Sequence, residues 1–162
     1  MDFFILSGKI ATLFIGSTMN LIVNFQEPMD VTGARENLLR VKEFNKSKSF
    51  IITPVTKSIN TNLIFYNNKT RYMFYVKSDE SHAHDFVNIY DGKKDSTFTL
   101  KKETSSYRLL SGTKSILIEN KTNRAIVVNN ENVLSREVFS KGAPVFIKTN
   151  DGEDLIYKKE EL

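Results

Sequence analysis

The sequence predicts an all-β protein built from two small antiparallel domains of the β-sandwich or barrel type. Short apolar runs, enriched in β-branched and aromatic residues, recur about every 8–14 residues between turns rich in Gly, Asn, Asp, Ser or Lys. That spacing is typical of sandwiches and small barrels. Within the runs, apolar and polar positions alternate, as in 21–25, where Leu21, Val23 and Phe25 face one way. No apolar stripe of helical period is present, so we expect less than about a fifth of the residues to be helical.

The strands follow from these runs in chain order, each bounded by turn residues. The best helical candidates, 31–40 and 133–139, are one or two turns each. We predict strands at 3–6 with 10–15, 21–25, 38–44, 50–53, 62–66, 71–76, 85–90, 97–101, 107–110, 115–119, 125–128, 145–148 and 155–157. Asp151-Gly152, between the last two, predicts a hairpin.

The polar segment 91–96 lies between two groups of strands and is the best candidate for a domain boundary. We therefore predict an N-terminal β-domain at 1–92 and a C-terminal β-domain at 93–162. The expected first core is Leu13, Ile15, Leu21, Val23, Phe25, Ile51, Leu63, Phe65, Tyr72 and Phe74. The expected second core is Leu109, Ile116, Ile118, Ile126, Val128, Val145, Ile147 and Ile156.

The most informative stretch is 50–77, which reads as three short strands in succession. The first stops at Pro54, the second runs over 62–66 and the third over 71–77. Short loops rich in Asn join antiparallel neighbours, so these strands are expected to pair with one another.

Composition sets limits on function. The 162 residues contain no cysteine, which excludes disulfides and thiolate metal sites. The net charge of +4 is spread evenly, with ten basic against eight acidic residues in 1–90 and thirteen against eleven in 91–162. This distribution argues against a nucleic-acid groove. The apolar start at 1–6 lacks a basic region before it and is too short to span a membrane, so it predicts a first strand, and no signal peptide is visible.

Few residues suggest chemistry. His82 and His84 would share one face if they lay on a strand, but a third metal ligand is not visible, so we expect a solvated polar loop and no functional metal. Both histidines lie at this one place, and no Gly-x-Ser-x-Gly nucleophile elbow occurs. The seven glycines form no phosphate-binding loop. We expect no catalytic residues, no cofactor and no enzymatic activity.

The aromatic residues leave an alternative open. Tyr66, Tyr72 and Tyr75 lie close in sequence to Lys69 and Arg71, and exposed aromatic rings beside basic side chains form stacking platforms for sugars or single-stranded nucleic acid. The alternation in 71–75 favours core packing for one set of these rings. A carbohydrate- or nucleic-acid-binding module, and an adhesin-like or phage assembly protein, therefore remain alternatives.

The order of motifs in 8–77 resembles one family. A strand pair over 8–28 ends in Phe25-Gln26-Glu27-Pro28, and a strand ending at Pro54 follows. Thr61-Asn62-Leu63 and then Arg71-Tyr72-Met73-Phe74 complete the succession. This is similar to the CagX/TraK-type periplasmic subunits of the outer-membrane core complex of type IV secretion systems. Residues 104–157 fit a second β-domain only by strand pattern.

The resemblance implies a non-enzymatic structural subunit of a secretion or conjugation channel in the bacterial envelope. It implies contacts with copies of the chain and with scaffold and lipoprotein subunits, without direct binding of nucleic acid. It also implies a periplasmic location, associated with the outer membrane through partners only. The residues that carry it, Pro54, Thr61, Asn62, Leu63, Arg71, Tyr72 and Phe74, are then expected to support assembly.

Overall fold

The computed structural model describes residues 1–157 and confirms an all-β fold, with no helix among those residues. The strands are β1 Asp2–Ile5, β2 Ile10–Ile15, β3 Leu21–Asn24, β4 Asp30–Thr32, β5 Leu39–Phe44, β6 Ser49–Pro54, β7 Asn60–Tyr66, β8 Arg71–Ser78, β9 Phe86–Asp91, β10 Thr99–Glu103, β11 Tyr107–Ser111, β12 Ile116–Asn120, β13 Ile126–Val128, β14 Glu131–Val133, β15 Arg136–Phe139, β16 Val145–Thr149 and β17 Gly152–Ile156.

The chain forms two compact units. The first comprises residues 1–3 and 10–90, and the second comprises residues 4–9 and the described residues from 91 onward. The N-terminal segment 4–9, which the sequence analysis assigned to the first domain, thus belongs to the second unit. The reason is its pairing: Phe4 exchanges backbone hydrogen bonds with Lys141, and the Leu6 N–H donates to Ser140 Oγ at 2.9 Å.

Apart from the last two residues of β1 and the last residue of β9, which belong to the second unit, the first unit is a sandwich of two sheets. One has five strands, in the order β1-β9-β3-β6-β5, and the other has four, in the order β2-β8-β7-β4. Aromatic rings from both sheets meet between them. The centroid of Phe50 on β6 lies 4.9 Å from that of Phe65 on β7, and Phe25 lies 4.8 Å from Phe65. Burial of such rings supplies much of the stability of a small core.

The pairs β2–β8 and β3–β9 of this unit are parallel. The sequence did not predict them, because the partners are far apart along the chain and no turn signal links them. The segment 50–77 also needs a correction. β7 and β8 are antiparallel neighbours as expected, but β6 lies in the other sheet, so the loop after Pro54 connects two layers of the sandwich.

The two helical candidates are wrong. Residues 31–40 contain the end of β4, a turn and the start of β5, and Gly33 has φ +88°, a left-handed conformation that interrupts any helix. Residues 133–139 contain the end of β14, a turn and β15. Leu134, at that turn, is 78% exposed. Its apolar side chain therefore does not belong to a buried helical face, as the sequence pattern had suggested.

The expected cores are confirmed with one exception. Ile51 is half-buried, while Phe50 and Ile52 on either side of it are fully buried. Since side chains alternate along a strand, one residue of register decides which of three consecutive apolar residues point outward.

The second unit also packs two sheets face to face, in the orders β10-β11-β12-β15 and β14-β13-β16-β17. A single buried cluster draws on both: Tyr107, Leu109, Ile116, Ile118, Ile126, Val128, Val133, Phe139, Val145, Ile147 and Ile156. The hairpin at the Asp-Gly signal is confirmed, with Thr149 opposite Gly152, so its two turn residues are Asn150 and Asp151. Residues 1–157 contain no helix suited to crossing a membrane.

Candidate functional site

Strand alternation divides the predicted motif residues between the two faces of the β7–β8 hairpin. Leu63, Tyr72 and Phe74 point into the sandwich and are buried, as is Thr61. Asn62 and Arg71 point outward and are exposed. Pro54 is half-buried at the end of β6, on the other sheet. The structure therefore does not bring the seven residues together in one site.

The outward side chains of the hairpin form a surface that we call the hairpin face. Four cross-strand pairs build it, because residues directly opposite in an antiparallel ladder lie on the same face. The pairs are Asn60 with Lys77, Asn62 with Tyr75, Ile64 with Met73, and Tyr66 with Arg71.

The hairpin face has an apolar and aromatic middle with polar ends. Ile64, Met73 and Tyr75 are half-buried by their neighbours, and Tyr66 is 39% exposed. The Lys77 ammonium lies 5.8 Å from the centroid of the Tyr75 ring, within the range of a cation–π contact. Ile64, Met73 and Lys77 are not among the interaction residues predicted from the sequence. The alternation of apolar and polar residues in β7 and β8 indicates which residues point outward. Only the pairing register shows that these three lie on one face.

The tip of the hairpin is held in shape by Asn67. Its side-chain oxygen accepts hydrogen bonds from the Lys69 and Thr70 N–H groups, both at 2.9 Å. Its amide nitrogen donates to the Pro28 carbonyl at 3.2 Å. Asn commonly stabilises turns in this way, and here its bond to the Lys69 N–H fixes the backbone of that basic residue.

An open depression of about 560 Å³ lies beside this tip. Tyr66, Lys69 and Arg71 contribute an aromatic ring and two cationic groups to it, and Thr32 and Ile64 form part of its wall. Three of the residues named for a sugar- or nucleic-acid-binding module thus meet here. Tyr72 and Tyr75 do not line it: Tyr72 is in the core, stacked on Phe25 at 5.6 Å, and Tyr75 lies further along β8.

The loop 79–85 holds the two histidines, and it differs from the expectation. They do not lie on a strand, and His84 is not solvated: it is 5% exposed, with its ring stacked on Phe14 at 5.6 Å and edge-on to Phe3 at 5.3 Å. The ring Nδ1 accepts a hydrogen bond from the Phe14 N–H at 2.9 Å, and the backbone N–H of His84 donates to the Phe14 carbonyl. His84 therefore supplies hydrogen-bond partners to both the N–H and the carbonyl of Phe14 on the edge strand β2.

The second histidine of the loop has a different partner. His82 Nδ1 lies 3.0 Å from a carboxylate oxygen of Asp79. The described residues include no group of three or more His, Asp or Glu side chains arranged to hold a metal ion. The expected absence of a functional metal stays a prediction.

Electrostatics in this loop follows from burial and hydrogen bonding. Burial lowers the pKa of His84 to about 4, because the charged form is poorly solvated among aromatic rings. Desolvation raises the pKa of Asp79, but hydrogen bonds from His82 and Ser81 outweigh it and hold that pKa below its usual value. Hydrogen bonds from the Ser17 hydroxyl and from the Ser17 N–H likewise lower the pKa of Glu80.

Comparisons with known proteins assign no family. No protein-family model matches the chain, and no curated protein matches it. Among solved structures, one similar chain is the CD2-binding domain of CD58 (lymphocyte function-associated antigen 3), 10% identical over 91% of this chain and 95% of that chain, with a TM-score of 0.32. A likeness this distant carries no argument about function.

Proposed function

We propose that this chain is a non-enzymatic structural subunit of a bacterial envelope secretion or conjugation channel, of the CagX/TraK type, that acts through protein–protein contacts. The observation that carries the proposal is the composition of the hairpin face. Its middle consists of Ile64, Met73, Tyr66 and Tyr75, with Asn and basic side chains at its ends. Protein interfaces have this anatomy, an apolar centre with a polar rim, and they are enriched in Tyr, Met and Arg.

The location of this face supports the same function. β7 and β8 carry the Thr61-Asn62-Leu63 and Arg71-Tyr72-Met73-Phe74 motifs on which the family resemblance rests. The buried members of the motifs, Leu63 and Phe74, anchor the hairpin in the sandwich, so that the outward members stand on a rigid sheet. A fixed position in a ring requires such a preorganised surface more than reactive groups.

The proposed partners are scaffold and lipoprotein subunits of the core complex, and copies of the chain. The proposed location is the periplasm, with attachment to the outer membrane through those partners. No catalytic group or cofactor enters this function.

Capture of the full chain from the native envelope, followed by mass spectrometry, tests the proposal. We expect secretion-channel subunits to be recovered with the unaltered chain and lost with Met73→Asp combined with Tyr66→Ala. Leu134→Ser, which changes an exposed apolar residue far along the chain, is the matched control and should retain them. Recovery of a soluble cytoplasmic protein with no envelope partner would refute the proposal. Full retention of channel subunits by the hairpin variant would instead refute the hairpin face as the surface of contact.

The depression beside the hairpin tip favours a second candidate, a module that binds an acidic glycan or single-stranded nucleic acid. Tyr66 would stack on a ring of the ligand, and Lys69 and Arg71 would contact its anionic groups. Fluorescence anisotropy with a labelled dT oligonucleotide and with a sulfated oligosaccharide tests it. Saturable binding that Arg71→Ala weakens would favour the module, and absence of binding at about millimolar ligand would dismiss it.

A further inference from the structure

The outer face of the β10-β11-β12-β15 sheet carries a row of four charges that alternate in sign. Glu103, Arg108, Glu119 and Arg136 lie directly opposite one another across the four strands. Arg108 Nε donates to Glu103 in this row. We call these four residues the charge ladder.

A bulge in β10 creates the first rung. The register shifts between Leu100 and Lys102, so that Leu100 and Glu103 point to the same side although they are three residues apart. Without the extra residue, Glu103 would face the core side, and the ladder would begin at Arg108. The lysine Lys121 flanks this first rung, with its ammonium 3.2 Å from Glu103.

A second row, parallel to the ladder, is entirely apolar. It consists of Leu100, Leu110, Leu117 and Val138, again directly opposite one another across the sheet. Leu100 is 49% exposed, Leu110 and Val138 are half-buried, and Leu117 is 9% exposed. The inward residues of the same strands form the core, so this apolar row belongs to the outer face.

The order of charges makes this face complementary to itself. Two copies can stack with these faces together, related by a two-fold axis that lies between the two facing sheets. The axis runs parallel to the strands and passes over the gap between β11 and β12. It places β10 of one copy over β15 of the other and β11 over β12. Glu103 then faces Arg136 of the second copy, and Arg108 faces Glu119. All four contacts between charge-ladder residues join opposite signs. The reason is that a two-fold axis reverses the order of the four residues, and reversing a row of four alternating charges puts each position opposite the other sign.

The apolar row obeys the same axis. Leu100 of one copy faces Val138 of the other, and Leu110 faces Leu117. Isologous contacts of this kind, in which the same patch is used twice, are the usual basis of two-fold dimers. Opposite charges across an interface set its register, and like charges there weaken binding.

We propose that this face binds a second copy of the chain in that two-fold arrangement. The proposal deepens the proposed function and rests on it in treating copies of the chain as partners. Four strands about 4.8 Å apart and two rows about 7 Å apart give a face of roughly 300 Å² per copy. Stable complexes bury more than this, so we expect a weak dimer that forms only at high protein concentration.

Sedimentation of the purified full chain from about 10 µM to 1 mM tests the proposal. The unaltered chain should shift from monomer to dimer over this range. Arg108→Glu and Glu119→Arg each place like charges together at two contacts, and each should weaken association at least about tenfold. An equimolar mixture of the two variants should recover it, because every contact between one variant and the other joins opposite charges. The double variant should also dimerise, for the same reason.

Controls separate this result from misfolding. Lys148→Glu makes the same change of charge on β16, in the other sheet, and should leave dimerisation unchanged. Circular dichroism melting of each variant establishes that it is folded, and recovery in the mixture is itself incompatible with unfolded variants. A chain that stays monomeric at 1 mM, or a mixture no better than its components, overturns the proposal. Either outcome leaves the envelope capture test of the hairpin face unaffected.

Discussion

Phe74→Ala should destabilise the first unit strongly, because the ring occupies the centre of the sandwich. Phe74 is 1% exposed, it lies between Leu63 on β7 and Ala11 on β2, and its ring centroid is 5.9 Å from that of Phe65. Truncation of a buried Phe costs about 3–5 kcal/mol, and the cost is greatest where the surroundings cannot collapse. Here, hydrogen-bonded ladders hold both neighbouring strands in place, so we expect about 4 kcal/mol.

Urea unfolding followed by circular dichroism measures this loss, and hydrogen exchange of residues 60–78 assigns it to the first unit. A cost of 4 kcal/mol corresponds to a fall of roughly 10 °C in Tm for a chain of this length. Tyr75→Ala, on the outward face of the same strand, is the control and should cost less than about 1 kcal/mol. The reasoning fails if Phe74→Ala costs under about 1 kcal/mol, or if the two variants cost the same.

Three further predictions concern other positions. Because the pKa of His84 is about 4 in the folded chain and about 6.5 in an unfolded one, the unfolded state takes up the proton first. The free energy of unfolding should therefore decrease as pH falls from 6.5 to 4, by roughly 3 kcal/mol in all. In urea titrations at several pH values, His84→Gln should flatten that slope, and an unchanged slope would contradict the assignment. Gly33→Ala should cost about 1–2 kcal/mol in thermal unfolding, since φ is +88° and the new Cβ would lie 3.1 Å from the Asn62 carbonyl oxygen; a neutral effect would show that the turn relaxes. Asn62→Ala should change Tm by no more than about 2 °C, because the side chain is exposed, while lowering recovery of envelope partners; a large fall in Tm would give Asn62 a structural role instead.

For the hairpin face, the sequence predicts the two strands but not which of their residues lie opposite one another. The alternation in 62–66 and 71–76 correctly predicted both strands, and their antiparallel pairing follows from a loop of four residues. Which outward residues meet was not predictable, since Ile64 faces Met73 only in the register that the Asn67 turn sets.

His84 illustrates a second limit. A polar loop between two strands ordinarily lies in solvent, and nothing local in His82-Ala83-His84-Asp85 distinguishes the two histidines. The loop folds back on the edge strand β2, where the Phe14 N–H requires an acceptor, and one imidazole supplies it. That partner is 70 residues away in the chain.

The sequence by itself determined the all-β class, the positions of most strands and nearly all of the core, because these depend on the period-two alternation of neighbouring residues. The tertiary structure decided the parallel pairs β2–β8 and β3–β9, the assignment of β6 and β7 to different sheets, and the two rows on the outer face of the second unit. Each of these depends on which distant strands pair and in what register. The bulge at Lys101 makes the point most directly, since one inserted residue turns Glu103 outward and completes a ladder of four alternating charges.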